Sequence, residues 1–246
     1  GQMLSGNGLK AVLLLNVEPE LDAANPAAAR AALAGAEMVV AMSAFKTAAM
    51  DYADVLLPVA PFSETSGTFV NAEGRAQSFH GVVKPLGDTR PAWKVLRVLG
   101  NLLSVDGFEF ETSEEVRSRA LGDIAALGAR LNNQTQAAVA FAGQTGGLER
   151  LSDVPIYSAD ALVRRAESLQ QTADAAAPVA SLPQALWAEL GLSDGAQVKV
   201  SQDGGSAVLP AVLDASLPAN VVRVPAGHAA TSTLGAMFGA IRVEKA

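Results

Sequence analysis

The sequence contains no cysteine, which removes disulfides, a thiol nucleophile and thiolate ligation of an iron–sulfur cluster from its chemistry. Histidine is scarce as well. His80 and His228 are the whole complement, and neither has an acidic or serine neighbour at a spacing that builds a triad or a metal site. No catalytic and no metal-ligating residue is therefore assigned. The longest apolar runs, residues 11–16 and 38–42, fall far short of the ~20 residues that cross a bilayer. Direct membrane insertion is not expected. Gly1-Gln2-Met3-Leu4 lacks the charged-then-apolar pattern of a secretory signal. Because the opening residues run straight into a strand-like segment, we expect the chain to be cut from a longer one. Basic runs and aromatic–basic interleaving are missing too. With 18 Lys and Arg against 25 Asp and Glu, the formal net charge is −7, the wrong sign for a phosphate-neutralising surface, so nucleic acid is not an expected partner.

What is present suits two folded domains: 246 residues, half of them hydrophobic, with glycine and proline spread evenly. Residues 11–16 form a continuous apolar run too short for a helix, the pattern of a parallel strand buried on both faces. Asn25-Pro26 supplies an N-cap and a first-turn proline for a helix over residues 27–33, stopped near Gly35. Strands follow at 38–42 and 55–58, with a short helical or irregular stretch at 44–52 between them. Strand, helix, strand, crossover and strand describe a parallel α/β sheet. Apolar residues at Trp93, Leu96, Leu99 and Leu103 predict an amphipathic helix after Pro91, and the spacing predicts another over 114–131. A helix is expected over 157–171 and an Ala-rich linker over 172–178. After a short helix at 182–190, strands at 196–201, 207–212 and 221–224 read as a small β domain, a barrel by its turn spacing. The expected division is an α/β domain at 1–131, a helical or irregular connection at 132–177 and the small β domain at 178–246.

The densest pattern lies in residues 51–77. A short apolar strand, Val55-Leu56-Leu57-Pro58, leads into a polar loop with the spacing Glu64-x-x-Gly67-Thr68-x-x-Asn71-x-Glu73-x-Arg75. Loops at the carboxyl ends of parallel strands are where open α/β sheets bind ligands. The structural alternative is the favoured one: Asn71 and Thr68 bond the loop's own backbone, and Glu64 or Glu73 pairs with Arg75. Elsewhere, Gly143-Gln144-Thr145-Gly146-Gly147 follows no strand and carries no P-loop lysine, so it is not read as a phosphate cradle. Arg164-Arg165 reads as an exposed or partner-facing pair.

The 51–77 segment resembles the ADVVLP…E-x-x-GT-x-x-N-x-E-x-R stretch of the molybdopterin oxidoreductase superfamily. Flanking residues Phe45 to Asp54 and Arg90-Pro91-Ala92-Trp93 extend that likeness over residues 11–104. Residues 148–171 and 222–235 are similar to the large peripheral-arm subunit of bacterial NADH:quinone oxidoreductase, complex I. The resemblance implies a Rossmann-like parallel α/β domain with helices, followed by a barrel. It also implies a scaffold role in respiratory electron transfer, on the cytoplasmic side of the bacterial inner membrane. Partners would be other hydrophilic-arm subunits and the cluster-bearing part of the same subunit. Cofactors are expected to be absent from this segment, with the iron–sulfur clusters carried elsewhere; Thr65, standing where the family commonly has a lysine, agrees with that. The alternative within the superfamily is the cofactor-binding half of a molybdenum enzyme such as a formate dehydrogenase or nitrate reductase.

Overall fold

The computed structural model describes residues 9–132, 134 and 146–246. The described residues of Gly1–Val39, Thr47–Asp54 and Ala142–Ala246 form one compact unit, and those of Val40–Lys46 and Val55–Phe141 form a second. The opening eight residues and the 143–145 part of the glycine-rich run lie outside the described residues.

The three apolar runs are strands β1 (Ala11–Leu15), β2 (Met38–Ser43) and β3 (Val55–Pro58), in a sheet of that order. β2 and β3 are parallel, with Val40 opposite Val55 and Ser43 opposite Pro58, so the chain must cross over between them. Helices α1 (Pro19–Asp22) and α2 (Pro26–Ala34) separate β1 from β2. The Asn25 side chain accepts the Ala28 N–H at 3.0 Å, and Pro26 opens α2 where its missing N–H costs nothing. Burial on both faces, expected of these strands, fails at the outer two. Leu13, Leu15, Val55 and Leu56 are exposed, because β1 and β3 are the sheet's edges and have a neighbour on one side only.

In the second unit the polar loop contains a hairpin that periodicity does not reveal, β4 (Gly67–Val70) with β5 (Ala76–Phe79). Gly67 sits opposite Phe79, and a Cβ there would lie 2.6 Å from the ring's Cζ, so only glycine lets the ring close over the strand. Helix α3 (Ala92–Leu102) carries the expected amphipathic pattern. Its buried Gly100 is pressed against Phe108, whose Cγ would stand 2.3 Å from an added Cβ. The single helix expected over 114–131 is instead α4 (Ser113–Leu121) followed by two short turns, Ile124–Ala126 and Leu127–Arg130. Gly122 adopts φ 66° and Asp123 accepts the Ala125 N–H, and together they stop one helix and start the next turn. Asp160 has the same effect in the 157–171 segment. Its carboxylate accepts the Leu162 and Val163 N–H groups at 2.8 and 3.0 Å, and the expected helix becomes short turns at Ile156–Ser158, Val163–Arg165 and Glu167–Gln170.

The remaining strands are β6 (Glu149–Leu151), β7 (Ala180–Leu182), β8 (Gln197–Gln202), β9 (Gly205–Leu213), β10 (Val221–Arg223), β11 (Gly239–Ala240) and β12 (Arg242–Lys245), with helix α5 (Gln184–Glu189) after β7. They form one sheet in the order β11-β6-β10-β7-β9-β8-β12. β11 and β12 sit at opposite ends of that order, yet Ile241 alone separates them in sequence. The sheet must therefore curl until its edges nearly meet, which makes it barrel-like. Alternation along β8 and β9 points Val198, Val200, Ala207, Leu209 and Ala211 inward with Leu182, Val222 and Leu234. Asp203 and Gly204, both at positive φ, make the tight β8–β9 turn.

Arg150 on β6 is the charge inside this sheet. It is buried and donates to the carbonyls of Val224, Pro225 and Ala236 at 3.2 Å and to Gln202 Oε1 at 3.0 Å. Among the described residues no carboxylate pairs with it. Arg150→Met strips these acceptors of their donor at about 1–3 kcal/mol for a buried group, while relieving the desolvation of the cation. A net loss of roughly 3 kcal/mol is expected as a lower urea midpoint. An unchanged midpoint would show that the guanidinium does not fasten the sheet.

Candidate functional site

Two places gather functional chemistry, one in each unit. In the second unit the backbone leaving β3 is fixed by a parallel bridge between Val59 and Arg90 and by the Ala60 N–H to the Arg90 carbonyl at 2.9 Å. The loops that follow enclose an open cleft of about 710 Å³, lined among others by Glu64, Gly81, Lys84, Arg90, Trp93 and Lys94. Its floor is tight. The Val82 and Val83 N–H groups donate to the Ser63 carbonyl at 2.8 and 3.1 Å, and a Cβ at Gly81 would stand 2.9 Å from the Glu64 and Thr65 backbone. Glu64 accepts the Leu86 N–H at 2.9 Å, so its carboxylate shapes the cleft's far wall. Arg90 donates to the carbonyls of Gly87 and Thr89. Lys94 lies 5.3 Å from the centroid of the Trp93 ring, within cation–π range. Lys84 and Lys94 form no ion pair with any described residue. Three cations, one engaged carboxylate and an indole give a positive, partly aromatic lining on a chain of net charge −7.

Of the spaced motif residues only Glu64 reaches this cleft. Gly67 is held under Phe79, and Thr68 bonds the Ser78 hydroxyl at 3.0 Å. Asn71 closes the hairpin turn, its side chain accepting the Glu73 and Arg75 N–H groups at 3.0 and 2.9 Å. The backbone role expected of Asn71 is what the structure contains. The ion pair expected at Arg75 is not. Arg75 is exposed and pairs with neither Glu64 nor Glu73, because Glu64 is turned toward Leu86 and Glu73 toward solvent. In sequence, Arg90 to Leu96 reads as a helix start and as a flank of the family likeness, and nothing local marks Lys84, Arg90, Trp93 and Lys94 as a common site.

In the first unit a cluster of buried charge joins the start of α1 to the Val163–Arg165 turn. Arg164 bonds Glu18 at 3.2 Å and Asp22, and Arg165 bonds both Glu18 oxygens at 2.8 and 3.0 Å. Arg164 also donates to the Ser158 carbonyl, and Asp22 accepts the Glu18 N–H. Arg164 is thus 10% exposed rather than partner-facing; its partners lie more than 140 residues away and no local signal names them. The hydrogen bond from Arg165, with the two positive charges, holds the Glu18 carboxyl below its ordinary 4.5 against the opposing effect of burial. Tyr52 and Glu20 bring a hydroxyl and a carboxylate oxygen that are buried without a hydrogen-bond partner within 3.5 Å. Burial first, then the nearby Glu20 carboxylate, push the Tyr52 hydroxyl well up. His80 and His228 fall in different units. His228 is half-buried, its Nδ1 accepts the Ala230 N–H at 3.0 Å, and burial pushes its pKa down. Among the described residues no group of three or more His, Cys, Asp or Glu could hold a metal ion, and no helix is long and apolar enough to cross a membrane.

Residues 2–102 match the family model described as molybdopterin oxidoreductase. A protein named "Putative formate dehydrogenase" from Staphylococcus aureus strain MRSA252 is 42% identical over 77 residues, which is 31% of this chain and 8% of that protein. Its counterpart from strain USA300 is 39% identical over 77 residues, with the same coverage. Among solved structures, acetylene hydratase from Pelobacter acetylenicus superposes with a TM-score of 0.63 at 16% identity, over 96% of this chain and 44% of that one. Residues 2–102 are therefore similar to the molybdopterin oxidoreductase family, and the likeness of fold extends through the barrel-like sheet. The chain spans about 8% of the length of the curated relatives it matches and less than half of the structural neighbour.

Two outcomes follow from the site geometry. Arg75→Ala, at an exposed position with no ion pair to any described residue, leaves stability within about 0.5 kcal/mol of the parent; a fall of several degrees in Tm would show that Arg75 has a partner. Glu18 has a depressed folded-state pKa, so its contribution is complete above pH 4.5, its ordinary value, and is lost as pH falls through the lower folded value. Urea midpoints measured downward from pH 5 should decline with a slope that Glu18→Gln flattens. Equal slopes in parent and variant would show that the carboxylate is not the acid-sensitive element.

Proposed function

We propose that the chain forms the pterin-supporting part of a molybdopterin oxidoreductase of the formate dehydrogenase kind, the cleft of the second unit taking the phosphate-bearing portion of a pterin dinucleotide. The observation that carries this reading is the positive, indole-lined cleft beyond the carboxyl end of β3, inside the stretch that matches the family model. The donor set fits such a group. Lys84 and Lys94 are ammonium groups without a counter-ion among the described residues, suited to a diphosphate, and Trp93 offers a flat face to a ring. Glu64, Gly81 and Arg90 are engaged with their own backbone and hold the cleft open. The bound group would supply molybdenum redox chemistry; the chain's residues would bind and orient it. The whole protein's substrate is set by parts of the relatives that this chain does not span.

A second reading is favoured by residues 148–171 and 222–235, similar to the large peripheral-arm subunit of NADH:quinone oxidoreductase, in a chain without cysteine. There the same body would be a cofactor-free scaffold packed against the cluster-bearing part and other arm subunits. One titration separates the two. In a Trp187→Phe background Trp93 is the only tryptophan, and GDP, carrying the diphosphate and a purine, should quench its fluorescence saturably. Lys84→Glu combined with Lys94→Glu should abolish that response. No saturable quenching in the background protein would remove the cofactor reading and leave the scaffold, for which metal and pterin analysis of the longer protein would return neither.

A further inference from the structure

We propose that the first unit holds a binding site for a small monocarboxylate in the pocket between the Pro155 turn, the start of β7 and the end of β10. The pocket has a volume of about 140 Å³ and is walled by Pro155, Pro178 and Pro225, with Ser158, Ser181, Arg223 and His228 as its polar members. Its size admits a ligand of only a few heavy atoms, well below the ~300 Å³ lower bound of drug-sized sites.

The donors are of one kind. His228 accepts the Ala230 N–H at Nδ1, so its neutral ring carries its proton on Nε2 and offers a donor there. Arg223 meets Asp153 in a bidentate pair through Nε and Nη2, at 3.0 and 2.9 Å, which leaves the Nη1 amino group outside that pair. The Ser181 hydroxyl can donate or accept. Asp153 is already committed to Arg223 and fixes the guanidinium plane, while Asp214 acts on that guanidinium through charge alone and, like Asp153, does not line the pocket. A site whose fixed groups are donors and whose walls are proline rings selects a ligand with paired acceptor oxygens and a short apolar tail. That is a carboxylate of the acetate or propionate class, held by Arg223 and the imidazole Nε2–H. The cleft of the second unit plays no part, and this proposal stands or falls apart from the cofactor reading.

The chain's two histidines make the test direct, because only two imidazoles contribute signals and exposed His80 serves as an internal control. Acetate is titrated into the 246-residue chain at pH 7.5 and constant ionic strength, with chloride as the exchanged anion. The His228 Cε1–H resonance should shift saturably, with a dissociation constant on the order of 1 mM as befits so few ligand atoms, while His80 stays still. Arg223→Gln should weaken binding about tenfold or more, the loss expected for a hydrogen bond to a charged group. Arg223→Lys, which keeps the cation, should retain part of it and serves as the readout if the glutamine variant does not fold. A linear drift of both histidines, no shift at all, or unchanged affinity in the folded arginine variants would each overturn the site.

Discussion

The first unit depends on the ion cluster between Glu18, Asp22, Arg164 and Arg165. It is the tie that joins the β1–α2 region to the segment entering the barrel, across more than 140 residues. Weaker contacts follow in its wake. Met237 donates its N–H to the Ala24 carbonyl, Arg30 reaches the Ser232 carbonyl, and Gly227 packs so close to Val154 that a side chain there would crowd it. A buried ion pair adds little net stability over a well-packed apolar contact, but removing one partner leaves an uncompensated charge at about 3–5 kcal/mol. The cluster thus penalises wrong dockings of these segments more than it deepens the right one. Two guanidinium groups and two carboxylates can all be satisfied in few ways, and Asp22's bond to the Glu18 N–H fixes one of them.

Among the described residues of the second unit no charged side chain is comparably buried, and the unit's order comes from close backbone approach. Gly67 under Phe79, Gly81 against Glu64 and Thr65, and Gly100 against Phe108 are three places where a missing Cβ lets one layer settle on another. Rings of Phe62, Phe69 and Phe79 then cluster at centroid separations of 5.3–6.1 Å. The cations of the cleft stand on this rigid floor. Against a net charge of −7 they make a local field of opposite sign, which counts because exposed charges are screened beyond about 8–10 Å. A passing anion senses Lys84, Arg90 and Lys94 before it senses the chain's overall charge.

Legibility in the sequence follows the range of the forces involved. The three strands of the first sheet, the Asn25-capped helix and the Trp93 helix are written in local patterns, and they lie within a residue or two of where periodicity and caps put them. Residues 114–131 and 157–171 misled because apolar spacing outlasted the helix. A glycine at positive φ and an aspartate bonding its own backbone broke what the pattern continued. β6, β11 and β12 are too short for any periodic signal, and pairing across the sheet decides them. The site shows the same divide. Asn71's local turn is readable from its position between Val70 and Gly74, whereas the partners of Arg164 and the grouping of Lys84 with Trp93 exist only once the chain has folded.

Arg150 and the Arg164–Arg165 pair bury the same chemical group by opposite means, and that contrast divides the first unit's behaviour. Arg150 is satisfied by carbonyl dipoles and the Gln202 amide, none of which titrates. The paired arginines are satisfied by Asp22 and by Glu18, and the Glu18 carboxylate takes up a proton in acid. Lowering the pH therefore leaves the acceptors inside the sheet unchanged while it withdraws the countercharge from Arg164 and Arg165. Acid acts first on the tie between distant segments, and the barrel-like sheet, closed through Ile241 and fastened at Arg150, keeps its own bonds when that tie is released.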